Sequence, residues 1–139
     1  MSKAKAISKP YLKVGRIVQT IAQQAHITSA DIYVSRNQLI HIENRHGKEL
    51  AAVGMDAETF VRTVCRQYNQ IRRGSNNSLL LVVYDEKLAK VAAIDLNYSL
   101  KDSFWEIKTA EPRECSTVKK KALIWARAHP ANGNGVRFN

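Results

Sequence analysis

The order of patterns along the chain predicts an α+β fold, with helices first and a small antiparallel sheet after them. Three observations carry this expectation. Apolar residues recur at helical spacing through the first half of the chain. A turn segment, Gly74–Ser78, reading Gly-Ser-Asn-Asn-Ser, ends that regime. Apolar or alternating runs then follow one another across connections of about four to five residues, too short for a crossover helix. The expected architecture is N-terminal helices packed on one face of an antiparallel meander of about three to four strands.

Leu12, Ile17, Val18, Ile21, Ala22 and Ala25 keep helical spacing, so a first helix is expected over Pro10–Ala25, with Pro10 suited to its first turn. Asp31–Ser35 holds Ile32, Tyr33 and Val34 and reads as a short extended piece. A second helix is expected over Asn37–Leu50, capped by Ser35 or Asn37 and broken or ended at Gly47. Asp56 begins a longer helix. Glu58 lies in its first turn, where a carboxylate meets the helix dipole favourably, and Phe60, Val61, Val64, Tyr68 and Ile71 form its apolar face. Leu79–Tyr84 is a continuous apolar strand, Lys90–Tyr98 a second, and Phe104–Thr109 an alternating third. Ala122–Ala126 is open between a fourth strand and a short helix.

At 139 residues the chain fits one domain: a basic arm at 1–10, a globular core at 11–128 and a Gly/Asn-rich tail at 129–139. The two cysteines, Cys65 and Cys115, have neither redox-pair nor zinc spacing and read as free thiols in a reducing compartment. No apolar run approaches the ~18 residues of a membrane span, and Met1–Pro10 lacks the apolar stretch of a secretory signal. These features argue against a secreted disulfide scaffold, a membrane protein and a two-domain cofactor enzyme; the expected location is the cytoplasm.

Twenty-two Lys and Arg against twelve Asp and Glu leave a formal charge of +10, which attracts polyanions, nucleic acid first among them. All the carboxylates lie in the middle of the sequence. Lys119, Lys120, Lys121 and Arg127 surround the apolar run Ala122–Ala126, so phosphate contact is expected there. No phosphate loop, dinucleotide fingerprint, hydrolase elbow or metal-spaced Cys/His set is present, and no cofactor is expected.

The segment Leu39–His46 places His41 and Arg45 four residues apart on one helix face. His46 lies about 140° from His41 around an ideal helix, so the two histidines need not face one site. Either imidazole is suited to acid–base work near neutral pH, and surface polarity alone would also account for each. In Phe104–Thr109, period-two alternation puts Trp105, Ile107 and Thr109 on one face, with Glu106 and Lys108 on the other. If the first set faces the helices, Thr109 emerges where a helical histidine would stand. Tyr33, Tyr98 and Trp105 are candidates to stack an unpaired base or to fill the core.

This order of features, a helix with HIENRH, a second helix, then SLLLVVYD, KVAAIDLNY and FWEIKTA, resembles the phage-associated branch of the barnase–EndoU–colicin–RelE ribonuclease superfamily. The resemblance spans roughly Asp31–Trp125, and KKKALIW at Lys119–Trp125 resembles the segment after the late strand. It implies a metal-independent endoribonuclease of toxin type, associated with phages and mobile elements. Cleavage would run by attack of the 2′-OH on the adjacent phosphate, leaving a 2′,3′-cyclic phosphate. It places His41 or His46, Arg45 and Thr109 in the catalytic site. Lys108 would neutralise charge, RNA (tRNA among the substrates) would be the partner, and an immunity or antitoxin protein would hold it in check. Two other readings stand beside it: a non-catalytic basic nucleic-acid-binding module, and a structural or interaction protein of a phage or mobile element.

Overall fold

In the computed structural model, which describes residues 11–128, one seven-stranded mixed sheet organises the chain in the order β1-β2-β6-β5-β4-β3-β7. The strands are β1 (Tyr11–Ile17), β2 (Ala30–Ser35), β3 (Gln70–Arg73), β4 (Leu79–Val83), β5 (Lys90–Ser99), β6 (Phe104–Glu114) and β7 (Leu123–Ala126). The helices are α1 (Gln19–Ala25), α2 (Arg36–Ala52), α3 (Ala57–Gln67) and the single turn α4 (Cys115–Val118). The α+β class stands, and the three expected strands form an antiparallel meander, β4–β5–β6. The sheet is larger than the expected three to four strands because β1, β2, β3 and β7 extend it, and β2 joins β6 in parallel. Residues 1–10 and 129–139, expected as arm and tail, lie outside the described residues.

The expected helix over Pro10–Ala25 is replaced by a strand and a short helix. Val14 and Ile17 are buried by pairing β1 with β2 and packing it on α3, an outcome local spacing does not encode. Gly15 makes that packing possible: a Cβ there would come within 2.7 Å of Cys65 Cβ on α3. The second helix runs unbroken through Gly47, with Ser35 as its cap, its side chain accepting from Gln38 N–H. Asp56 caps α3 in the same way through Thr59 N–H, at 2.8 Å. Helix α3 stops at Gln67, so Ile71, expected on its apolar face, is buried in β3 instead. Ala122–Ala126 resolves as strand, over Leu123–Ala126.

The main core lies between the helices and one face of the sheet, built from Ile17, Ile32, Val34, Ile42, Leu50, Phe60, Val64, Ile94, Leu96, Trp105 and Ile107 among others. Helix α1, which follows edge strand β1, also touches edge strand β7, where Trp125 Nε1–H donates to Gln24 Oε1 at 2.7 Å. Helix α1, next in sequence to one edge strand, thus packs on the other. A smaller cluster on the opposite face, Leu80, Val82, Leu88, Val91, Ala93, Cys115 and Val118, lies under α4 and the 85–89 turn. The rest of that face carries polar and aromatic side chains. Among the described residues no helix is long and apolar enough to cross a membrane.

Candidate functional site

Strand β6 sets the site. Its pairing with β5 slips by one residue: Asp95 opposes Thr109 while Leu96 opposes Ile107, which leaves Lys108 as the extra residue of a β-bulge. The bulge shifts the alternation. Trp105, Ile107 and Ala110 belong to the helix-side core. Cross-strand partners share a face, so Thr109 lies with Asp95 on the open face, away from Trp105 and Ile107, which corrects the expectation that it shares theirs. Nor does the strand end at Thr109; it continues through Glu111 and Arg113 to Glu114.

Helix α2 brings the histidine. Strand β2 pairs with β6 only at Ile32–Trp105 and Tyr33–Glu106, and α2 starts one residue after β2 ends. The helix then runs beside the part of β6 that β2 no longer covers, pinned at its start by Gln38 Nε2–H donating to Lys108 O. Eight helical residues from Gln38 advance about 12 Å, and three strand residues from Lys108 advance about 10 Å. His46 and Glu111 therefore arrive together: Nε2 lies 2.7 Å from Glu111 Oε1, and Nδ1 lies 2.9 Å from Glu49 Oε1. Each ring nitrogen of His46 thus faces a carboxylate oxygen. The His46 side chain is 17% exposed. His41 and Arg45 project from the exposed face of the same helix, so the two histidines part as helical geometry allows.

From Glu111 a polar row crosses the open face. Arg113 Nε lies 3.5 Å from Glu111 Oε2, an ion-pair distance without hydrogen-bond geometry. Its Nη2 donates to Asp95 Oδ2 at 2.7 Å, and Asp95 Oδ1 accepts from Ser78 Oγ–H at 3.0 Å. Gly74 closes the end of the row: a Cβ there would stand 2.7 Å from Asp95 Oδ1. Among the described residues no group of three or more His, Cys, Asp and Glu is placed to hold a metal ion.

The basic segment stands at the other end of this face. Arg72, only 8% exposed, lies over the Tyr84 ring and donates through Nη1 to the carbonyls of Lys119 (3.3 Å) and Lys121 (2.7 Å). The backbone of the three lysines is thereby fixed, with Lys119 and Lys120 exposed. Arg127 lies over the Trp125 ring and donates to Tyr68 O, and Lys108 is exposed at the bulge.

The aromatic candidates separate as well. Trp105 is buried on the helix side, its Nε1–H donating to Thr28 O, and Tyr98 packs on it there. Tyr33 is half-buried on the open face, beside Phe104 (centroids 4.6 Å apart) and Tyr11. Tyr11 O–H donates to Glu106 Oε2 at 3.2 Å, and partial burial together with the Glu106 charge raises its pKa above the ordinary tyrosine value.

Sequence reasoning missed Glu111, Arg113, Asp95 and Ser78. The first two were signalled by the alternation Thr109, Glu111, Arg113, which continues past Pro112; a proline is tolerated there because β6 has lost its neighbour β2. The arrangement gathers an imidazole, a carboxylate, a guanidinium and a hydroxyl-bearing residue on one strip. Comparison of the chain with family models, curated proteins and solved structures finds no match.

Proposed function

We propose that this chain is a metal-independent endoribonuclease of toxin type that works in the cytoplasm. It would cleave RNA by attack of the 2′-OH on the adjacent phosphate, leaving a 2′,3′-cyclic phosphate and a free 5′-OH. The observation that carries the reading is the meeting of His46 with Glu111 on the same strip as Arg113 and Thr109. The reaction needs a base for the 2′-OH and an acid for the departing 5′-oxygen. His46 and Glu111 share a hydrogen bond and form a proton-accepting and proton-donating pair. Arg113 and Lys108 offset charge on the phosphorane, and the Thr109 hydroxyl donates to a phosphate oxygen. His41 and Arg45, on the outer face of α2, take no part in the chemistry in this reading and contact the RNA backbone, as do Lys119, Lys120, Lys121 and Arg127. The resemblance of HIENRH and FWEIKTA to phage-associated ribonucleases supports the same assignment, and RNA, tRNA included, with an immunity protein as antagonist, is the partner set it implies.

One observation favours the non-catalytic binding module instead: carboxylates occupy both His46 nitrogens, leaving neither free for substrate in this arrangement. The deciding experiment is incubation of purified protein with tRNA and mixed RNA in EDTA at several pH values, with the products mapped for 2′,3′-cyclic ends. Cleavage lost in His46→Ala and reduced in Thr109→Ala supports the enzyme. Intact RNA at every pH, with salt-sensitive binding retained, supports the module.

A further inference from the structure

Among the described residues Arg72 is the only buried charged side chain, and no carboxylate lies within ion-pair distance of it. Taking an unpaired cation out of water is costly, and neutral partners offset only part of that cost. Nε donates to Gln70 Oε1 at 2.8 Å, Nη1 serves the carbonyls of Lys119 and Lys121, and Cζ lies 5.3 Å from the Tyr84 ring centroid. Nη2 has no hydrogen-bond partner among the described residues, yet it is not sealed from solvent. The guanidinium is therefore anchored at two nitrogens and open at the third. The chain hung on Nη1 closes the turn after α4: the amides of Lys119, Lys120 and Lys121 donate to Cys115 O, Thr117 O and Val118 O. The backbone of the three lysines is thus fixed at its amides and at two carbonyls. Their ammonium groups form no ion pair among the described residues; Glu86 and Glu114 border the same cleft as Lys119 without coming within ion-pair distance of it. The register aligns Arg72, Leu80, Asp95 and Thr109 across β3, β4, β5 and β6. Three interstrand steps, about 14 Å, therefore separate this corner from Thr109.

We propose that Arg72 and Lys119–Lys121 form a binding site for a phosphate group, separate from the proposed cleavage site. Arg72 Nη2 supplies a donor already in place, and the lysines supply charge on flexible stems that close over the anion. The bound anion gives the buried guanidinium the counter-charge that the fold withholds. Phosphate suits the corner because it offers several acceptor oxygens on one centre, and hydrogen bonds between ionised groups are the strong ones. Two sources carry that chemistry. One is a backbone phosphate of RNA, the partner in the proposed function, and the other is a free phosphate compound such as a nucleotide. Only the first rests on that function; the site itself does not depend on cleavage.

The test begins with inorganic phosphate, titrated into isotopically labelled protein at fixed ionic strength with chloride as the replaced ion. The dissociation constant is read from Arg72 Nε–H and the backbone amides of Lys119–Lys121, which should shift together and saturate. Arg72→Lys keeps the charge but loses the forked donors, so it should weaken binding at least ~10-fold, the size of a hydrogen bond to a charged group. Should that variant unfold, as urea denaturation would show, Lys119→Gln/Lys121→Gln carries the same test from the surface and should also cost at least ~10-fold. Lys48→Gln/Lys101→Gln removes equal charge at exposed positions elsewhere and should leave the constant unchanged. Shifts that do not saturate, shifts spread evenly over the molecule, or an equal loss in both double variants overturn the site. A short 2′-O-methyl RNA, which lacks the attacking hydroxyl, then separates the sources. Shifts at the corner, with the log–log salt slope smaller by about 1.4 in Lys119→Gln/Lys121→Gln, assign the site to backbone phosphates. Phosphate bound at a corner that the RNA leaves unshifted assigns it to a free phosphate compound. Cleavage of ordinary RNA, assayed in parallel, stands or falls separately from either result.

Discussion

The two faces of the sheet are built to different rules. On the helix side, Ile17, Ile32, Ile42, Leu50, Phe60 and Ile94 are all fully buried, and specificity comes from shape. On the open face, Ser78, Asp95, Arg113, Glu111 and His46 form a row in which each member meets the next through a charged or hydrogen-bonding contact. Paired charges of this kind are often no more stabilising than apolar replacements. The difference teaches where to look for chemistry: on the face where side chains satisfy one another instead of filling space.

The contrast breaks most visibly at Phe60. Phe60→Ala leaves a void in the helix-side core and should lower unfolding free energy by about 3–5 kcal/mol, read from urea denaturation. The opposite face should show the reverse behaviour. His46→Ala should cost at least ~10²-fold in RNA cleavage, equivalent to about 2.7 kcal/mol in the barrier. Its urea midpoint should stay near that of the parent, because the ring lies at the rim of the fold. A His46→Ala protein that unfolds as readily as Phe60→Ala would mean that the row is structural.

Gly74 tests whether the row tolerates disturbance. Gly74→Ala drives a methyl group toward Asp95 and Ser78, so it should cost about 1–3 kcal/mol of stability, as overpacking does, and slow cleavage through the displaced Asp95–Arg113 pair. Unchanged stability and rate would show that the loop yields freely.

The smallest effect concerns pH. The Thr59 backbone N–H, bonded to the Asp56 carboxylate, holds that carboxyl below the usual aspartate range. A depressed folded-state pKa gives stability that is present above the unfolded value and is lost as pH falls through the folded one. Asp56→Asn, which caps without titrating, should therefore lose less stability than the parent between about pH 5 and pH 2, by no more than the ~1 kcal/mol of a helix cap. Parallel stability curves for the two proteins would remove Asp56 from the acid response.

Cys65 lies in the helix-side core, where α3 meets Gly15 of β1. Burial pushes its thiol up to about 12, so it should resist alkylation at pH 8 until the protein unfolds. Modification of Cys65 in the native protein by iodoacetamide, read by mass spectrometry, would show that α3 separates from β1.

What the sequence makes legible follows from the range of the interactions involved. The Asp56 cap and the Gly74–Ser78 turn are read locally because a side chain or a backbone angle within a few residues decides them. The β1 strand is not, since Leu12–Val18 suits either period until β2 and α3 arrive to bury Val14 and Ile17. The candidate site divides in the same way. The 140° separation of His41 and His46 says that only one faces inward, but not which; that depends on where β2 stops and lets α2 lie against β6. Thr109 is misplaced by one face because a bulge in β6 depends on its partner β5, and no residue type in FWEIKTA announces it.

The Gln24–Trp125 hydrogen bond spans 101 residues of sequence, and it ties α1 to the last edge strand of the sheet. Such closure makes the fold rich in non-local pairing, which slows folding and postpones completion to the last strand. During synthesis β3 stays an open edge until β7 leaves the ribosome, and Arg72 and Arg73 on that edge guard it against pairing with other chains. The order of emergence thus sets when the molecule becomes whole: the strand that carries Glu111 is made before Trp125, but the frame that holds it closes only afterwards.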